Sequence, residues 1–299
     1  MKEQDAALRT AIAEHVRDGD TVFLGGFGHA VPTAAVHELI RQGRRDLTIV
    51  RSGCDIAVDQ LIAAGCVARL VFGWVGNPGI GLAHAFRRAL AAGALEVEEW
   101  TNFSLVLRLE ARRLGVPFLP GRVLRAGDAA SELPGLRLVT CPYTGEELAA
   151  VPAMPVDVAI IHAQRADAEG NVQFWGIKGD TVTGALAADR VIATVEEVVP
   201  SAVVLEQPDR TIVPAHRVVA VAEVPFGAHP SYVDGHYGRD DAHYVDYDRA
   251  ARTVEGIEAY LDEWVHGLPT RDEYLAHIPV ESLRDAPGGR RGAGERDDA

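Results

Sequence analysis

Three glycines stand within four residues near the start of the chain, at Gly25, Gly26 and Gly28, with Phe27 among them. They follow a short apolar run and precede a stretch with the pattern of a helix. Glycine weakens a strand or helix, so this cluster indicates a backbone that turns sharply or approaches another molecule closely. A bare main chain in front of a helix can present its N–H groups to an anion. The chemistry open to the cluster is therefore anion binding, and a tight turn without a ligand is the competing interpretation.

Two kinds of anion would suit such a loop. The pyrophosphate of a dinucleotide requires the spacing G-x-G-x-x-G, but residues 26–31 supply only two of the three glycines. A second cluster, GNPGIG at 76–81, has the spacing G-x-x-G-x-G. The other anion is the oxyanion that forms on a carbonyl during acyl transfer, where the loss of one N–H donor costs about 10²–10³ in rate. The glycines alone leave both possibilities open.

Polar and aromatic residues follow the neighbouring predicted strands. Ser52 lies at the end of the second strand, and Trp74, Gly76 and Asn77 lie at the end of the third. Open parallel sheets bind ligands at the carboxyl ends of their strands, so these residues are candidates for substrate binding. Core packing competes with this role for Trp74. His29 directly follows the glycine cluster, and there a surface or packing role competes with substrate contact.

The elements that must position these residues alternate between strand and helix. Strands are predicted at 21–26, 47–53, 68–76 and 95–100, and helices at 4–17, 32–43, 58–65, 81–93 and 103–115. The second half continues with a strand–turn–strand unit at 156–176, a helix and a strand at 184–200, a loop at 227–245, and a helix pair or one long helix at 246–267. This pattern predicts one α/β domain over 1–284. It has an open, mostly parallel sheet with helices on both faces, and a small helical or loop insertion around 120–150.

Composition and charge argue against several classes of partner. The formal net charge is −14 and no basic stripe is present, so no nucleic acid is expected as a partner. Cys54, Cys66 and Cys141 lack zinc spacing and fit reduced thiols in a cytoplasmic protein, so no metal is expected. No apolar signal core and no run of ~18 apolar residues occur, and no membrane association is expected. The charged tail at 285–299, rich in Gly and Arg, is predicted to be disordered.

The stretch DGDTVFLGGFGHAVP at 18–32 resembles the N-terminal signature of family I coenzyme A transferases. After Phe27, the letters GHAVP look more like the A (alpha) subunit of the glutaconate coenzyme A-transferase branch than like the oxoacid branch. Further stretches resemble the same type of chain in the same order, at 44–53, 59–79, 95–120, 166–176, 187–199 and 227–231. The resemblance covers roughly residues 5–270 and implies a NagB/RpiA/CoA transferase-like fold.

The resemblance also implies an activity, the movement of coenzyme A from an acyl-CoA to a free carboxylic acid. In this family a glutamate attacks the thioester, and a glutamyl thioester with coenzyme A then forms. Two-subunit members carry that glutamate on the B (beta) subunit, while the alpha-type chain brings the glycine loop. Gly25, Gly26, Phe27 and Gly28 are therefore expected to form the oxyanion hole. Coenzyme A is expected as a substrate, with no permanently bound cofactor.

The chain is expected to need a beta subunit, because no segment resembles the Ser-Glu-Asn-Gly nucleophile turn of such subunits. Its own candidate acids are expected to be solvated, capping or structural: Glu98, Glu99, Glu146, Glu147, Glu169, Glu196 and Glu197.

Asn102 falls where the oxoacid branch carries a glutamine associated with the substrate carboxylate. A helix cap before Phe103 is the competing role for this asparagine. Related ring-opening hydrolases carry an acid near this position, so asparagine argues against that variant. Three alternatives remain: a hydrolase of coenzyme A esters, a non-catalytic dinucleotide or sugar-phosphate binding protein, and a scaffold protein. The expected acyl group is a dicarboxylic or 3-oxo acid.

Overall fold

Side chains of the central strands alternate between two apolar layers. In the computed structural model, which describes residues 3–124, 133 and 136–286, Val22 and Leu24 join one hydrophobic cluster and Phe23 joins the other. Ile49 and Val50 divide between the same two clusters. Successive side chains of a strand point to opposite faces, so strands that are apolar throughout must be covered on both sides.

The parallel strands form one twisted layer. Their bounds are β1 (Thr21–Leu24), β2 (Leu47–Cys54), β3 (Val67–Val75), β4 (Glu96–Glu99), β8 (Val158–Asp167), β10 (Arg190–Val199) and β12 (Val218–Glu223). Their order across the sheet is β12–β10–β8–β1–β2–β3–β4. Strand β9 (Val172–Gln173) forms an antiparallel hairpin with the end of β8 and pairs with β11 (Thr211–Val213). The predicted parallel sheet and the hairpin are confirmed.

Helices cover both faces of the sheet. One face packs against α1 (Glu3–His15), α2 (Thr33–Arg41), α3 (Ile56–Ala63), α4 (His84–Ala91), α8 (Asp241–Ala251) and α9 (Val254–Leu261). The other packs against α5 (Asn102–Leu114), α6 (Thr181–Ala187), α10 (Arg271–His277) and α11 (Val280–Asp285). The short helix α7 (Ser201–Leu205) follows β10. The chain has the predicted α/β architecture.

The region around 120–150 differs from its prediction. Its described part forms a small antiparallel sheet of β5 (Phe118–Gly121), β6 (Arg137–Thr140) and β7 (Glu147–Pro152), with β7 in the middle. The expectation of a helical or loop insertion is wrong there. Proline and glycine within these short strands gave them the composition of a loop, although strand ends and edges tolerate proline. Residues 125–132, 134 and 135 lie outside the described residues.

Boundaries in the C-terminal third are refined. The loop predicted at 227–245 ends earlier, because α8 begins at Asp241 and the Asp240 carboxylate accepts a hydrogen bond from the His243 N–H. The region 246–267 contains a helix pair, with Thr253 capping α9. Helix α11 extends to Asp285, and residues 287–299 of the tail predicted to be disordered lie outside the described residues. Within the described ranges, no helix combines the length and the apolar character that a membrane span needs.

Candidate active site

The carboxyl end of β1 opens a recess in the middle of the sheet. Leu24, the last residue of β1, pairs with Ile160 of β8, whereas β8 continues to Asp167 and β2 to Cys54. The chain leaves the sheet in this gap as the glycine loop, residues 25–28. We define the recess as the space bordered by the glycine loop, the end of β2 and residues 177–181. It lies at the carboxyl edge, where parallel sheets bind ligands.

Not all N–H groups of the glycine loop are available to a ligand. The Gly25 N–H donates to the Ile160 carbonyl at 2.9 Å, and the Gly26 N–H donates to Thr181 Oγ1 at 2.9 Å. For the N–H groups of Phe27 and Gly28, the described residues provide no acceptor. The predicted set of four loop residues thus divides into two amides that hold the fold and two that are free to donate.

Gly26 occupies a backbone position that only glycine fits. Its φ is +87°, and a Cβ there would stand 2.8 Å from both the Ala30 carbonyl oxygen and Val31 Cα. Its carbonyl oxygen accepts a hydrogen bond of 2.9 Å from Nη2 of the buried Arg51. Both backbone polar groups of Gly26 are therefore bonded inside the protein, one by Thr181 and one by Arg51.

Phe27 forms part of the recess surface. Its side chain is 43% exposed, which is high for a phenylalanine beside a closed core. The ring lies against Gly53 of β2, and the Phe27 Cβ lies beside Gly179. A Cβ at Gly53 would stand 2.6 Å from Phe27 Cε2, and one at Gly179 would stand 2.7 Å from Phe27 Cβ. The glycines at 53 and 179 are what allow Phe27 to lie in the recess.

His29 is inside the protein. Its side chain has no exposed surface, Nδ1 donates to the Ile177 carbonyl at 3.1 Å, and Nε2 accepts from the Asp234 N–H at 3.0 Å. Burial lowers the pKa of His29, although the Ile177 carbonyl acts in the opposite direction. The packing role weighed for this residue agrees with these contacts, since both ring nitrogens are occupied.

Ser52 lies on the β2 side of the recess. Its N–H donates to Asp180 Oδ2 at 3.2 Å, and both residues are nearly fully buried. Asp180 Oδ1 is buried and has no donor within the part of the chain that the structure describes. The sequence singled out Ser52 from its place at the end of a strand. The contact between Ser52 and Asp180 was not predicted, because the two residues are distant along the chain.

The end of β3 presents one exposed and one buried candidate. The Trp74 side chain is 44% exposed and lies over Gly76, so the core-packing interpretation of Trp74 is wrong. Asn77 is buried, and its Nδ2 donates to the Tyr244 carbonyl at 3.0 Å. Its N–H also donates to the Gly81 carbonyl, closing a turn. Trp74 can therefore contact a ligand directly, whereas Asn77 holds the turn that follows β3.

Asn102 is the first residue of α5, but it is not the cap. Thr101 caps the helix in a reciprocal pair of hydrogen bonds with Ser104, so the capping interpretation of Asn102 is wrong. Its side chain is exposed, and its Oδ1 lies where a Cβ at Gly73 would stand. This amide group therefore lies at the carboxyl end of β3, where it can donate to an acid without adding charge.

The two buried acids among the candidates, Glu98 and Glu196, each accept three hydrogen bonds within the protein. Glu98 accepts hydrogen bonds from Arg69, Arg108 and Trp100. Glu196 accepts from His162 at 2.7 Å, from Tyr237 at 2.8 Å and from the Phe226 N–H at 2.8 Å. Burial acts to raise the pKa of Glu196, but the bond from His162 and the other donors outweigh it and lower the pKa. Of the remaining candidates, Glu146 pairs with Arg122, and the following are exposed: Glu99, Glu147, Glu169 and Glu197.

In the part of the chain that the structure describes, the side chains that usually bind metals are not grouped around one point. Across residues 3–124 and 136–286, no group of three or more His, Cys, Asp or Glu side chains is arranged to hold a metal ion. Cys54 and Cys66 are buried as free thiols, and burial raises the pKa of Cys66 to about 11. These two thiols are therefore protonated and unreactive near neutral pH.

An open parallel sheet with a glycine loop and free amides at its carboxyl edge defines an α/β protein with a candidate ligand site at the strand ends. Comparison with known proteins identifies one family. The Coenzyme A transferase family pattern matches residues 6–223, and the chain belongs to that family. It is 44% identical over 275 residues to the A subunit of 3-oxoadipate CoA-transferase from Pseudomonas knackmussii, covering 91% of this chain and 96% of that protein.

A second relative and a solved structure indicate the same family. The A subunit of glutaconate CoA-transferase from Acidaminococcus fermentans is 35% identical over 294 residues, with 92% of each chain covered. The crystal structure of glutaconate coenzyme A-transferase from that organism matches with a TM-score of 0.89 and 33% identity, over 95% of this chain and 97% of that one. The resemblance stated from the sequence, its glutaconate-branch character and the assignment to the CoA-transferase enzymes are confirmed.

Proposed function

We propose that this chain is the alpha subunit of a two-subunit CoA transferase and that the glycine loop is its oxyanion hole. The observation that carries the proposal is the pair of N–H groups at Phe27 and Gly28 that have no acceptor among the described residues, in the loop that follows the carboxyl end of β1. Backbone donors fixed in advance stabilise an oxyanion without reorganising during the reaction. The hole is therefore assigned to the amides of Phe27 and Gly28. Gly25 and Gly26 support it through the bonds that their own amides make.

The nucleophile is proposed to be a glutamate of a beta subunit. The buried acids Glu98 and Glu196 each accept three hydrogen bonds and cannot swing toward a substrate without breaking them. The relatives are named as one lettered subunit of their enzymes, which implies a second kind of chain in each. Exposed aromatic side chains at the recess, Phe27 and Trp74, offer the partner an apolar surface.

The proposed reaction begins when a carboxylate oxygen of the partner's glutamate attacks the thioester carbonyl. The negative charge passes to the carbonyl oxygen, which the loop amides bind. The C–S bond then breaks, leaving an acyl anhydride and coenzyme A thiolate. The thiolate attacks the glutamyl carbonyl of the anhydride, which releases the first acid as a carboxylate and leaves a glutamyl thioester. A second carboxylic acid reverses these steps and departs as its coenzyme A ester.

The substrate class is proposed to be a dicarboxylic acid, with a 3-oxo dicarboxylic acid preferred. The relatives are named for 3-oxoadipate and glutaconate, which both carry two carboxylates. One carboxylate reacts, so the other remains for recognition. Asn102 lies exposed at the carboxyl end of β3, where its amide can donate to that second group. Trp74 completes the proposed substrate surface, while the buried residues Ser52, His29, Gly76 and Asn77 shape it from beneath.

The decisive experiment is to trap the intermediate in the complex. The chain is co-produced with a candidate beta subunit from the same genome, and the purified complex is incubated with 3-oxoadipyl-CoA or glutaconyl-CoA. Borohydride or hydroxylamine is then added, and peptides of both chains are mapped by mass spectrometry. Modification of one glutamate on the beta subunit is expected, together with transfer of coenzyme A to a free dicarboxylic acid.

Other outcomes would assign a different function. Release of free acid and free coenzyme A without transfer would identify a hydrolase. Modification of a glutamate on this chain would overturn the division of labour between the two chains. Binding of a dinucleotide by the isolated chain, with neither reaction, would favour a non-catalytic nucleotide-binding protein. Glu169→Gln, in the exposed hairpin turn between β8 and β9, is the matched control and should leave trapping unchanged.

A further inference from the structure

Arg51 and Asp55 form an ion pair beneath the glycine loop. The Arg51 side chain is 1% exposed, and its Nη1 and Nη2 donate to the two carboxylate oxygens of Asp55 at 3.0 and 2.9 Å. Removing both charges from water carries a large desolvation cost, and apolar side chains of similar volume often stabilise a core as well. Stability alone is therefore a weak reason for such a pair, and its other contacts are more informative.

The same guanidinium also bonds the loop. Nη2 of Arg51 donates to the Gly26 carbonyl oxygen at 2.9 Å, in addition to its bond with Asp55. Asp55 is itself fixed, because it caps helix α3 and its Oδ1 accepts a hydrogen bond from the Ala57 N–H. The positive end of the helix dipole also favours its negative charge. The Gly26 carbonyl is thus tied through Arg51 and Asp55 to the first turn of α3.

Peptide geometry converts this bond into a direction for the next amide. The bond between Gly26 and Phe27 is trans, so the carbonyl of Gly26 and the N–H of Phe27 lie in one plane and point in opposite directions. Because the carbonyl faces the buried guanidinium, the Phe27 N–H must face away from it. That N–H has no acceptor within the described residues. The bond from Arg51 therefore sets which way one of the free amides points.

The charge on Arg51 adds a second effect. A hydrogen bond from a charged donor is about twice as strong as a neutral one. Such a bond polarises the peptide, and polarisation along hydrogen-bond chains strengthens each bond by roughly 10–30%. The Phe27 N–H is the opposite end of that peptide, so it becomes a better donor to a developing negative charge.

We propose that Arg51, held in place by Asp55, is a positioning residue that orients and polarises the Gly26–Phe27 peptide so that the Phe27 N–H meets the reacting oxygen. The inference rests on the proposed function for its consequence in catalysis. The orientation of the peptide can be observed independently of any reaction. Arg51 is not expected to touch the substrate, because its side chain is 1% exposed and each Nη nitrogen bonds an acceptor of the protein.

The test compares Arg51→Lys with Arg41→Lys in the complex with the beta subunit. Lysine keeps the charge but cannot make the two-oxygen bond to a carboxylate and bond a carbonyl at the same time. Arg41 is the matched control, because it also bonds one carboxylate, that of Glu38, and two backbone carbonyls, those of Val265 and Leu268. It lies at the end of α2, on the opposite edge of the sheet from the glycine loop.

Both variants should lower the melting temperature. Only Arg51→Lys should lower kcat, by about 10- to 100-fold, since misaligning a donor costs up to the 10²–10³ seen on its removal. KM and the Kd for a non-reacting coenzyme A ester should change less than about threefold, because the effect belongs to the transition state. Equal kcat in Arg51→Lys and wild type, at a temperature where both are folded, would overturn the inference while leaving the transferase assignment intact.

If the wild-type complex proves not to be a transferase, a crystal structure of the Arg51→Lys chain still tests whether Arg51 orients the Gly26–Phe27 peptide. A rotated or disordered Gly26–Phe27 peptide, beside an unchanged peptide in Arg41→Lys, supports the positioning role whatever the reaction. An unchanged peptide in Arg51→Lys refutes it. Failure of the proposed function is recognised separately, because it would leave the wild-type complex without coenzyme A transfer.

Discussion

The ring of Phe27 lies against the Cα of Gly53, so that residues from two neighbouring strand ends share one surface at the recess. A Cβ at position 53 would stand 2.6 Å from Phe27 Cε2. Gly53→Ala should therefore displace the Phe27 ring, which is free to move because it is half exposed. We expect kcat/KM of the complex to fall about tenfold, or about 1.4 kcal/mol, with little change in melting temperature.

The control for this prediction is Gly93→Ala. A Cβ at Gly93 would meet nothing within 4 Å, and this residue lies beyond α4, away from the recess. Its φ is +66°, so an alanine at this position carries the strain of a left-handed backbone but makes no contact with Phe27. If both variants lose the same activity, the contact between Phe27 and Gly53 has no part in function.

Gly26→Ala and Gly28→Ala should differ sharply. Both glycines have positive φ, so each substitution costs roughly 1–2 kcal/mol of backbone strain. A Cβ at Gly26 also meets the backbone of Ala30 and Val31 at 2.8 Å, whereas a Cβ at Gly28 meets nothing within 4 Å. Chemical denaturation should show the larger loss of stability for Gly26→Ala, with transferase activity abolished. Comparable stability of the two variants would contradict the geometry of the loop.

Thr181→Val tests the second bond that holds the loop. Valine has nearly the same shape but leaves the buried Gly26 N–H without its acceptor, which costs about 1–3 kcal/mol. The free energy of unfolding should fall by that amount, and kcat should fall with it because the loop loses one support. Thr181→Ser keeps the hydroxyl and is the matched control. A serine variant as impaired as the valine variant would show that the loss does not come from the hydrogen bond between the hydroxyl and Gly26.

Stability should fall in acid because of buried histidines on α8 and in the preceding loop. Burial lowers the pKa of His243 to about 3, and burial also lowers that of His229 despite its bond to Asp240. In the unfolded chain these groups bind a proton near pH 6.5, whereas folded His243 does not until about pH 3. The unfolded state therefore gains protons between these values, and stability falls as pH decreases, by about 1.4 kcal/mol per pH unit and per group at most.

Urea midpoints between about pH 7 and pH 4 measure this effect. His243→Gln should lose less stability across that range than wild type, whatever its stability at neutral pH, because glutamine does not titrate. His266→Gln, on the exposed turn after α9, is the control and should follow the wild-type curve. If the stability of His243→Gln falls with decreasing pH as steeply as that of wild type, His243 is not the source of the loss of stability in acid. Around His243 the neighbouring polar groups are Tyr260, which it contacts at 2.7 Å, His229 and Asp240.

Much of the sheet was predictable because its signals are local. The apolar runs and the glycines that end them lie within one strand or one turn, so β1 to β4 and their helices could be read from the sequence. The small sheet of β5 to β7 was not, since Pro120, Gly121 and Pro152 give short strands the composition of a loop. Such strands depend on pairing with distant segments more than on their own propensity.

The candidate site was predictable in position but not in detail. The glycines and the strand ends locate the carboxyl edge, yet the bond from Gly26 to Thr181 joins residues 155 positions apart. The buried state of His29 depends on Ile177 and Asp234, which are also remote along the chain. Which loop amides remain free is a property of these long-range bonds, and no local pattern carries it.

The shortness of β1 separates two demands on the protein. Longer strands flank the loop on either side, so a reacting group is expected to approach it from the carboxyl ends of the strands. In the proposed function, the main chain of the loop sets how fast a bond breaks, and exposed side chains around it, such as Trp74 and Ile177, set which acid enters. Redesign of acid selectivity should begin at these side chains, where a residue can be exchanged without moving a single amide of the loop.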